Sequence, residues 1–379
     1  MIRDAISAAV AARDLSEEEA AGVMEEIMSG EATPAQLAAF LTALRLKGET
    51  VDEIVGMARV MRAKACRVDW EGTLLDTCGT GGDASGTFNV STAAAFVAAG
   101  AGARVAKHGN RAMTSRCGSA DVLEALGAKI ELSPEGASSC LDATGFCFMF
   151  APRFHPAMRF AAGPRREIGI RTVFNVLGPL CNPAGATRQV LGVADKSLGE
   201  KMAQALARLG CEHALIVHGK EGLDELSPAG PSQVWEVKEN DIQCFEIRPS
   251  DAGLSAHSPS SVSGGTVEEN AGMLRSVLRG KHGALRDFTL LNAAAALLAF
   301  DLVCAVAEGV EEAARAVDSG AVAAESRQQE RPARDDRRAD RGRRSSRGPP
   351  PRQLRGGGGE VGRQGVGRHH FQGQRLQIR

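Results

Sequence analysis

The sequence predicts an α/β protein with two parts: a small all-helical N-terminal domain over residues 1–70, and a larger domain over 71–320 built on a mostly parallel central sheet. Three observations carry this reading. Residues 1–67 show helical spacing and helix caps with no β-type run. From Leu74 onward, short β-type runs alternate with helix-type segments, as in strands joined by crossover helices. Two glycine-rich loops each stand between such a run and a helix, where α/β sheets hold their ligands.

The bulk properties agree. At 379 residues, with 43% hydrophobic residues and a formal net charge of −1, the chain can bury a large core and has no bulk attraction to nucleic acid. The nine cysteines are scattered singly, without CxxC pairs, and read as reduced core thiols of a cytoplasmic protein. The N-terminus carries acidic residues where a secretory leader needs a basic end and an apolar run. Ser91–Ala106 and Leu290–Val306 are the most apolar stretches; both are alanine-rich, and Asn292 and Asp301 interrupt the second. Buried helices are expected there, not membrane spans.

Taken in order, Ser16 with Glu19, Thr33 with Gln36 and Thr50 with Glu53 fit the capping-box spacing, and Pro34 sits at a first helical position. Leu37, Phe40, Leu41 and Leu44 repeat at helical intervals, as do Ile54, Met57, Ala58 and Met61. Strands are expected at Leu74–Thr77, Arg104–Lys107, Phe146–Phe150, Gln189–Val193 and Ala214–His218. Helices are expected at Ser91–Ala99, Ser119–Leu126, Pro134–Ala143, Leu198–Leu209, Val267–Arg279 and Leu290–Ala307, with a Ser/Gly-rich loop at Ser258–Gly265. Residues 321–379 are crowded with Arg, Gly, Pro and Gln, lack lysine and show no apolar periodicity. This tail fits a disordered basic segment, a linker to a lost partner, or an out-of-frame translation of a GC-rich gene.

The two loops are the chemical centre. The first runs Cys78-Gly79-Thr80-Gly81-Gly82-Asp83, followed by Thr87, Asn89, Val90, Ser91 and Thr92. The second runs Lys107-His108-Gly109-Asn110-Arg111, followed by Ala112, Met113, Thr114, Ser115 and Ser119. Glycine admits close approach of backbone N–H groups to an anion, and a helix beginning near Ser91 adds its own free N–H groups. Lys107 and Arg111 bring positive charge. Asp83 suits a ribose hydroxyl, a metal-bound water or a loop amide. The spacing is that of neither the dinucleotide fingerprint nor the P-loop. Pro152–Pro183 adds a polar cluster (His155, Arg159, Arg165, Arg166, Arg171, Asn175, Asn182), most of which, on the residues alone, fits solvated helix faces. Asp224-Glu225, after a strand ending at His218-Gly219, reads on its own as a surface turn.

These motifs resemble a known family. DTCGTGGD at 76–83, FNVST at 88–92, KHGNR at 107–111, GSADVLEALG at 118–127, PRREIGIRTVFNVLGPLCNPA at 164–184 and HGKEGLDELS at 218–227 are similar to anthranilate phosphoribosyltransferases over roughly residues 1–320. The resemblance implies a fold of the nucleoside phosphorylase/phosphoribosyltransferase type, with a segment near 165–185 returning to the helical domain. It implies transfer of a phosphoribosyl group from phosphoribosyl pyrophosphate (PRPP) to anthranilate in tryptophan biosynthesis. It places PRPP on Gly79, Gly82, Asp83, Thr87, Asn89 to Thr92, Lys107 to Ser115 and Ser119. Anthranilate then falls to Gly79, Asn110 and Arg165, and Mg²⁺ to Ser91, Asp224 and Glu225. A homodimer through the helical domain is also implied, with no membrane and no specific nucleic-acid partner. No residue is singled out as a covalent or acid–base catalyst, and His108 is given an orienting role. A pyrimidine nucleoside phosphorylase and a noncatalytic nucleic-acid-binding relative are the rival readings.

Overall fold

The computed structural model describes residues 1–83, 85–112 and 116–322. Met113, Thr114, Ser115 and the tail from 323 onward lie outside the described residues.

Four helices open the chain: α1 (Ile2–Val10), α2 (Glu17–Met28), α3 (Pro34–Lys47) and α4 (Val51–Ala63). The three expected capping boxes are all formed, with Ser16, Thr33 and Thr50 accepting from the backbone three residues on. Such reciprocal bonds satisfy N–H groups that a helix start leaves free. Gly56 of α4 lies so close to α2 that an added Cβ would run into the Glu17 carbonyl. Gly56→Ala is therefore expected to push the two helices apart and destabilise the protein by about 1–3 kcal/mol. A lowered thermal midpoint checks this; an unchanged one refutes it.

The sheet follows. Its strands are β1 (Leu75–Gly79), β2 (Val105–Gly109), β3 (Phe146–Phe150), β4 (Arg188–Gly192), β5 (His213–Gly219), β6 (Ser232–Lys238) and β7 (Asp241–Ile247), in the order β3-β2-β1-β4-β5-β6-β7. The first five are mutually parallel, and β6 and β7 add an antiparallel hairpin at one edge. That hairpin is absent from the expected strands. The remaining helices are α5 (Val90–Gly100), α6 (Ser119–Ala125), α7 (Pro134–Thr144), α8 (Ala151–Phe154), α9 (Arg159–Ile168), α10 (Val173–Leu177), α11 (Gly199–Arg208), α12 (Val267–Leu278), α13 (Ala284–Ala299) and α14 (Val306–Asp318).

One expected helix is corrected. Leu290–Ala307 is not continuous: α13 begins earlier, at Ala284, and ends at Ala299, and Asp301 turns the chain with φ 58° before α14. Aspartate tolerates that left-handed conformation better than most residues. The early start is hidden in sequence because Arg286, within α13, is buried; its guanidinium is paired with Asp318 at 2.7 Å.

Strand alternation sorts side chains to the two faces of the sheet. Val190, Leu215 and Val217 pack with α5, α12, α13 and α14 in one core. Leu191, Ala214 and Ile216 pack with α11, α10 and the four N-terminal helices in another. Arg62 of α4 reaches across, donating to the carbonyls of Leu180 at 2.6 Å and Leu209 at 2.9 Å. Within the described residues no helix is long and apolar enough to cross a membrane.

Candidate active site

In the order β3-β2-β1-β4-β5, chain connections leave β1 and β4 in opposite directions, so the crevice beyond their carboxyl ends is the natural ligand position. Gly79 ends β1 and Gly192 ends β4, paired in register. The first glycine loop leaves from Gly79 and the second from Gly109, at the end of the neighbouring β2.

The acidic pair arrives from β5. The Asp224 carboxylate accepts from Gly81 N–H at 2.8 Å, across 143 residues of chain. Glycine is required at two places here: a Cβ on Gly79 would strike the Asp224 carboxylate, and one on Gly192 would strike its backbone. Gly81 and Gly82 turn the loop with φ 66° and 71°, a conformation that favours glycine. The turn after Asp224-Glu225 is clamped by Asn292 of α13, which accepts from Leu226 N–H at 3.0 Å and donates to its carbonyl at 3.2 Å. Asn292 carried no role in the sequence reading.

Burial, with Asp83 close by, raises the Asp224 carboxyl to about 6, and burial beside Asp224 raises Glu225 as well. Three carboxylates crowded together in this way favour a cation among them. Among the described residues, no group of three or more His, Cys, Asp or Glu side chains is arranged to hold a metal by itself. An oxygen-only set of two carboxylates and the Ser91 hydroxyl suits a hard ion such as Mg²⁺, which completes its shell with water and phosphate oxygens.

Around Asn89 the helix starts one residue before the expected Ser91: α5 begins at Val90 with Asn89 as its N-cap, without a side-chain cap bond. Asn89 instead donates to the Cys117 carbonyl at 3.0 Å, which ties the first loop to the second. Its Oδ1 and the Thr92 hydroxyl are buried with no hydrogen-bond partner among the described residues. Such polar atoms are costly to bury unpaired. Thr87 pairs with Ser263, and Phe88 N–H donates to the Val262 carbonyl at 3.1 Å, so the Ser/Gly-rich loop at 258–265 backs the first glycine loop. Asp83 accepts from Ser85 N–H at 3.3 Å, the loop-amide role among those expected for it.

The second loop differs in detail from its expected picture. Lys107 is 2% exposed; its ammonium donates to the Thr77 carbonyl and, at 3.3 Å, to the Ser91 hydroxyl. It thus stands under the start of α5, beside the acids. Arg111 is exposed and ion-paired on α6 with Asp121 at 2.9 Å and Glu124 at 2.8 Å. Asp121, unremarked in sequence, organises the loop by accepting from Ala112 N–H at 3.0 Å and Gly118 N–H at 2.9 Å. The Ser119 hydroxyl donates to the Asn110 carbonyl at 3.3 Å. Asp121, third residue of α6, makes the acid half of a capping box by accepting from the N–H of the N-cap Gly118.

His108 is buried against His155, with ring centroids 5.0 Å apart, and its Nε2 has no partner among the described residues. Burial first, then His155, depresses it to about 3, so the ring is neutral and a feeble proton acceptor. Beneath it, Asp76 accepts from His108 N–H at 3.1 Å and from Asn182 at 2.8 Å, welding β1 to β2.

The acceptor side comes from α9 and α10. Arg165 is half-buried, its guanidinium stacked 4.9 Å from the ring centroid of Phe174. No carboxylate among the described residues pairs with it. Pro164 lies inside α9 and is buried.

The comparisons with known proteins point the same way. The helical bundle domain of a glycosyl transferase family matches residues 3–65, and the a/b domain of a glycosyl transferase family matches residues 71–323. The chain is 58% identical over 325 residues to the anthranilate phosphoribosyltransferase of Roseiflexus castenholzii, covering 85% of this chain and 96% of that one. With the Chloroflexus aggregans protein of that name it shares 59% over 321 residues, or 84% and 94% of the two chains. The crystal structure of the Thermus thermophilus anthranilate phosphoribosyltransferase superposes with a TM-score of 0.82 at 44% identity, covering 86% and 98%. The Saccharomyces cerevisiae enzyme in complex with PRPP and Mg does so with a TM-score of 0.77 at 31% identity, covering 83% and 92%.

Proposed function

The chain belongs to the anthranilate phosphoribosyltransferase family, and on that premise we propose a division of labour among its residues. Its activity is transfer of the 5-phosphoribosyl group from PRPP to anthranilate in tryptophan biosynthesis. In our reading the first loop (Gly79, Gly82, Asp83, Thr87) and the start of α5 (Asn89 to Thr92) hold the diphosphate and ribose. Lys107 to Ser115 and Ser119 complete the grip, and Ser91, Asp224 and Glu225 hold Mg²⁺. Gly79, Asn110 and Arg165 face anthranilate. The helical domain over 1–70, with the returning segment near 165–185, forms the far wall of the cleft and a homodimer contact, in a cytoplasmic enzyme.

The chemistry asks for position more than for covalent help. The aromatic amine attacks C1 of the ribose, the bond to pyrophosphate breaks with its electron pair leaving on oxygen, and the new ammonium releases a proton. Mg²⁺, when bound, supplies charge stabilisation to the departing pyrophosphate. The chain's own contribution is alignment and a field suited to the oxocarbenium-like state. Burial lowers the Lys107 ammonium below its usual range against the opposing pull of Asp76, and the side chain stands beneath Ser91, behind the leaving group. The neutral His108 ring suits orientation better than proton abstraction.

One observation carries the acceptor assignment: a half-buried guanidinium, backed by Phe174, with no acidic partner among the described residues. A flat fork of that kind matches a carboxylate two bonds to two. Arg165→Ala is expected to raise the KM for anthranilate about 10- to 100-fold, with the KM for PRPP within about twofold. Loss of anthranilate fluorescence in the presence of PRPP and Mg²⁺ measures it. An unchanged anthranilate KM would falsify the assignment.

A further inference from the structure

We propose that Arg171 is a positioning residue that ties the acceptor-side segment to the diphosphate loop. The idea rests on the functional reading of that loop given above. Gly81 and Gly82 are exposed and both have positive φ, so two successive peptides there gain nothing from regular structure. On one side the loop is tethered to the acid turn and to β4, through Gly81 N–H to Asp224 and Thr80 N–H to the Gly192 carbonyl at 2.9 Å. On the other side Arg171 donates from Nη1 to the Gly82 carbonyl at 3.1 Å, across 89 residues of chain. The guanidinium lies flat against Gly82: a Cβ there would meet Nη1 at 2.9 Å and Cζ at 3.1 Å. Glycine at 82 follows from its φ, and the absence of a Cβ leaves the guanidinium room to approach.

The arginine is itself held from behind. It directly precedes Thr172, the N-cap of α10, whose N–H donates to Asn175 at 3.0 Å. Val173, Phe174, Val176 and Leu177 of that helix are buried. Phe174 is also the ring that carries Arg165. The N-terminal end of one short, deeply anchored helix therefore serves both arginines: Arg171 directly precedes its N-cap, and Phe174, its second residue, backs Arg165 of α9. Asp195, beyond the end of β4, is held below the usual carboxylate range chiefly by the Ser197 hydroxyl, with Arg45 of α3 and Arg171 adding the smallest contributions. Losing Arg171 removes both a charge-assisted bond to a carbonyl of the loop and a positive charge beside the bound diphosphate.

The test compares Arg171→Ala and Arg171→Lys with the parent chain by steady-state kinetics. A second readout is the rise in melting temperature caused by PRPP with Mg²⁺. The expected result for Arg171→Ala is a KM for PRPP raised about tenfold, an anthranilate KM within about twofold, and a reduced ligand-induced melting shift. Its ligand-free melting temperature should match the parent, and lysine should restore part of the PRPP affinity. A PRPP KM within twofold of the parent would overturn the proposal. So would an equal rise in both KM values with a lower ligand-free melting temperature, which marks a purely structural loss. If the parent itself fails to saturate with PRPP, the reading of the loop falls and takes this proposal with it; if the parent saturates and Arg171→Ala behaves identically, only the role of Arg171 falls.

Discussion

Asp224→Asn is expected to lower kcat/KM for PRPP about 100- to 1000-fold while leaving the ligand-free protein at least as stable as the parent. The two effects share a cause. Asp83, Asp224 and Glu225 crowd the mouth of the cleft, and burial plus mutual repulsion raises the last two carboxyls above their ordinary range. Folding therefore assembles carboxylates whose mutual repulsion a bound cation relieves. Removing one charge relieves that strain, and asparagine can still accept the Gly81 N–H that Asp224 now binds. The same change deletes one of the two carboxylates proposed to hold Mg²⁺ against the diphosphate. Functional sites commonly trade stability for activity in this way. Glu225→Gln should be as inactive, because it removes the other carboxylate proposed to hold Mg²⁺. Turnover at several Mg²⁺ concentrations and ligand-free melting curves settle the matter. Activity within threefold of the parent, or a clear loss of ligand-free stability in Asp224→Asn, would count against it.

What was readable in the sequence follows from how local each cause is. Ser16, Thr33 and Thr50 announce helix starts because the capping partner lies three residues away. The five parallel strands announce themselves as short β-type runs, four of them ended by glycine. The β6–β7 hairpin does not, because its turn uses Glu239 and Asn240, at φ 52° and 69°, where a glycine would have signalled it. Nor does β6 show a clean alternation, because Val234 is buried on one face of the sheet and Trp235 and Val237 on the other. The glycine loops were legible as contiguous motifs. Their supports were not: Asp224 meets Gly81, Arg171 meets Gly82 and Asn292 meets Leu226 only after folding brings distant segments together. Lys107 shows the limit from the other side. Its residue type suggested a hand on phosphate, but not that β2 would bury it with its ammonium on the Thr77 carbonyl and the Ser91 hydroxyl.

Asp301→Ala is expected to destabilise the protein by about 2–4 kcal/mol and to leave the cleft chemistry intact, because this residue sits at the opposite end of the sheet. Its carboxylate accepts from His213 Nδ1 at 2.8 Å and Lys238 Nζ at 2.9 Å, and pairs with Arg188. His213 is fully buried, and its other nitrogen meets Glu236 at 2.8 Å. Removing Asp301 leaves a buried imidazole and an arginine short of their partner, and places alanine at φ 58°, which it tolerates poorly. Asp301→Asn separates the two causes, since asparagine accepts that backbone conformation and keeps the size; it should cost about half as much. Acid gives an independent check. Hydrogen bonds from Lys238 and His213, outweighing desolvation, hold the Asp301 carboxyl down to about 2. A depressed carboxyl contributes stability that is fully present above its unfolded value near 3.9 and disappears as pH falls through about 2. With the side chain 36% exposed, solvent screening trims that contribution to about 1–2 kcal/mol. The stability gap between the parent and Asp301→Asn, measured by urea unfolding, should accordingly narrow between about pH 4 and pH 2. A gap that stays constant over that range would show that the charge of Asp301 contributes nothing, and that its place in the turn is a matter of backbone alone.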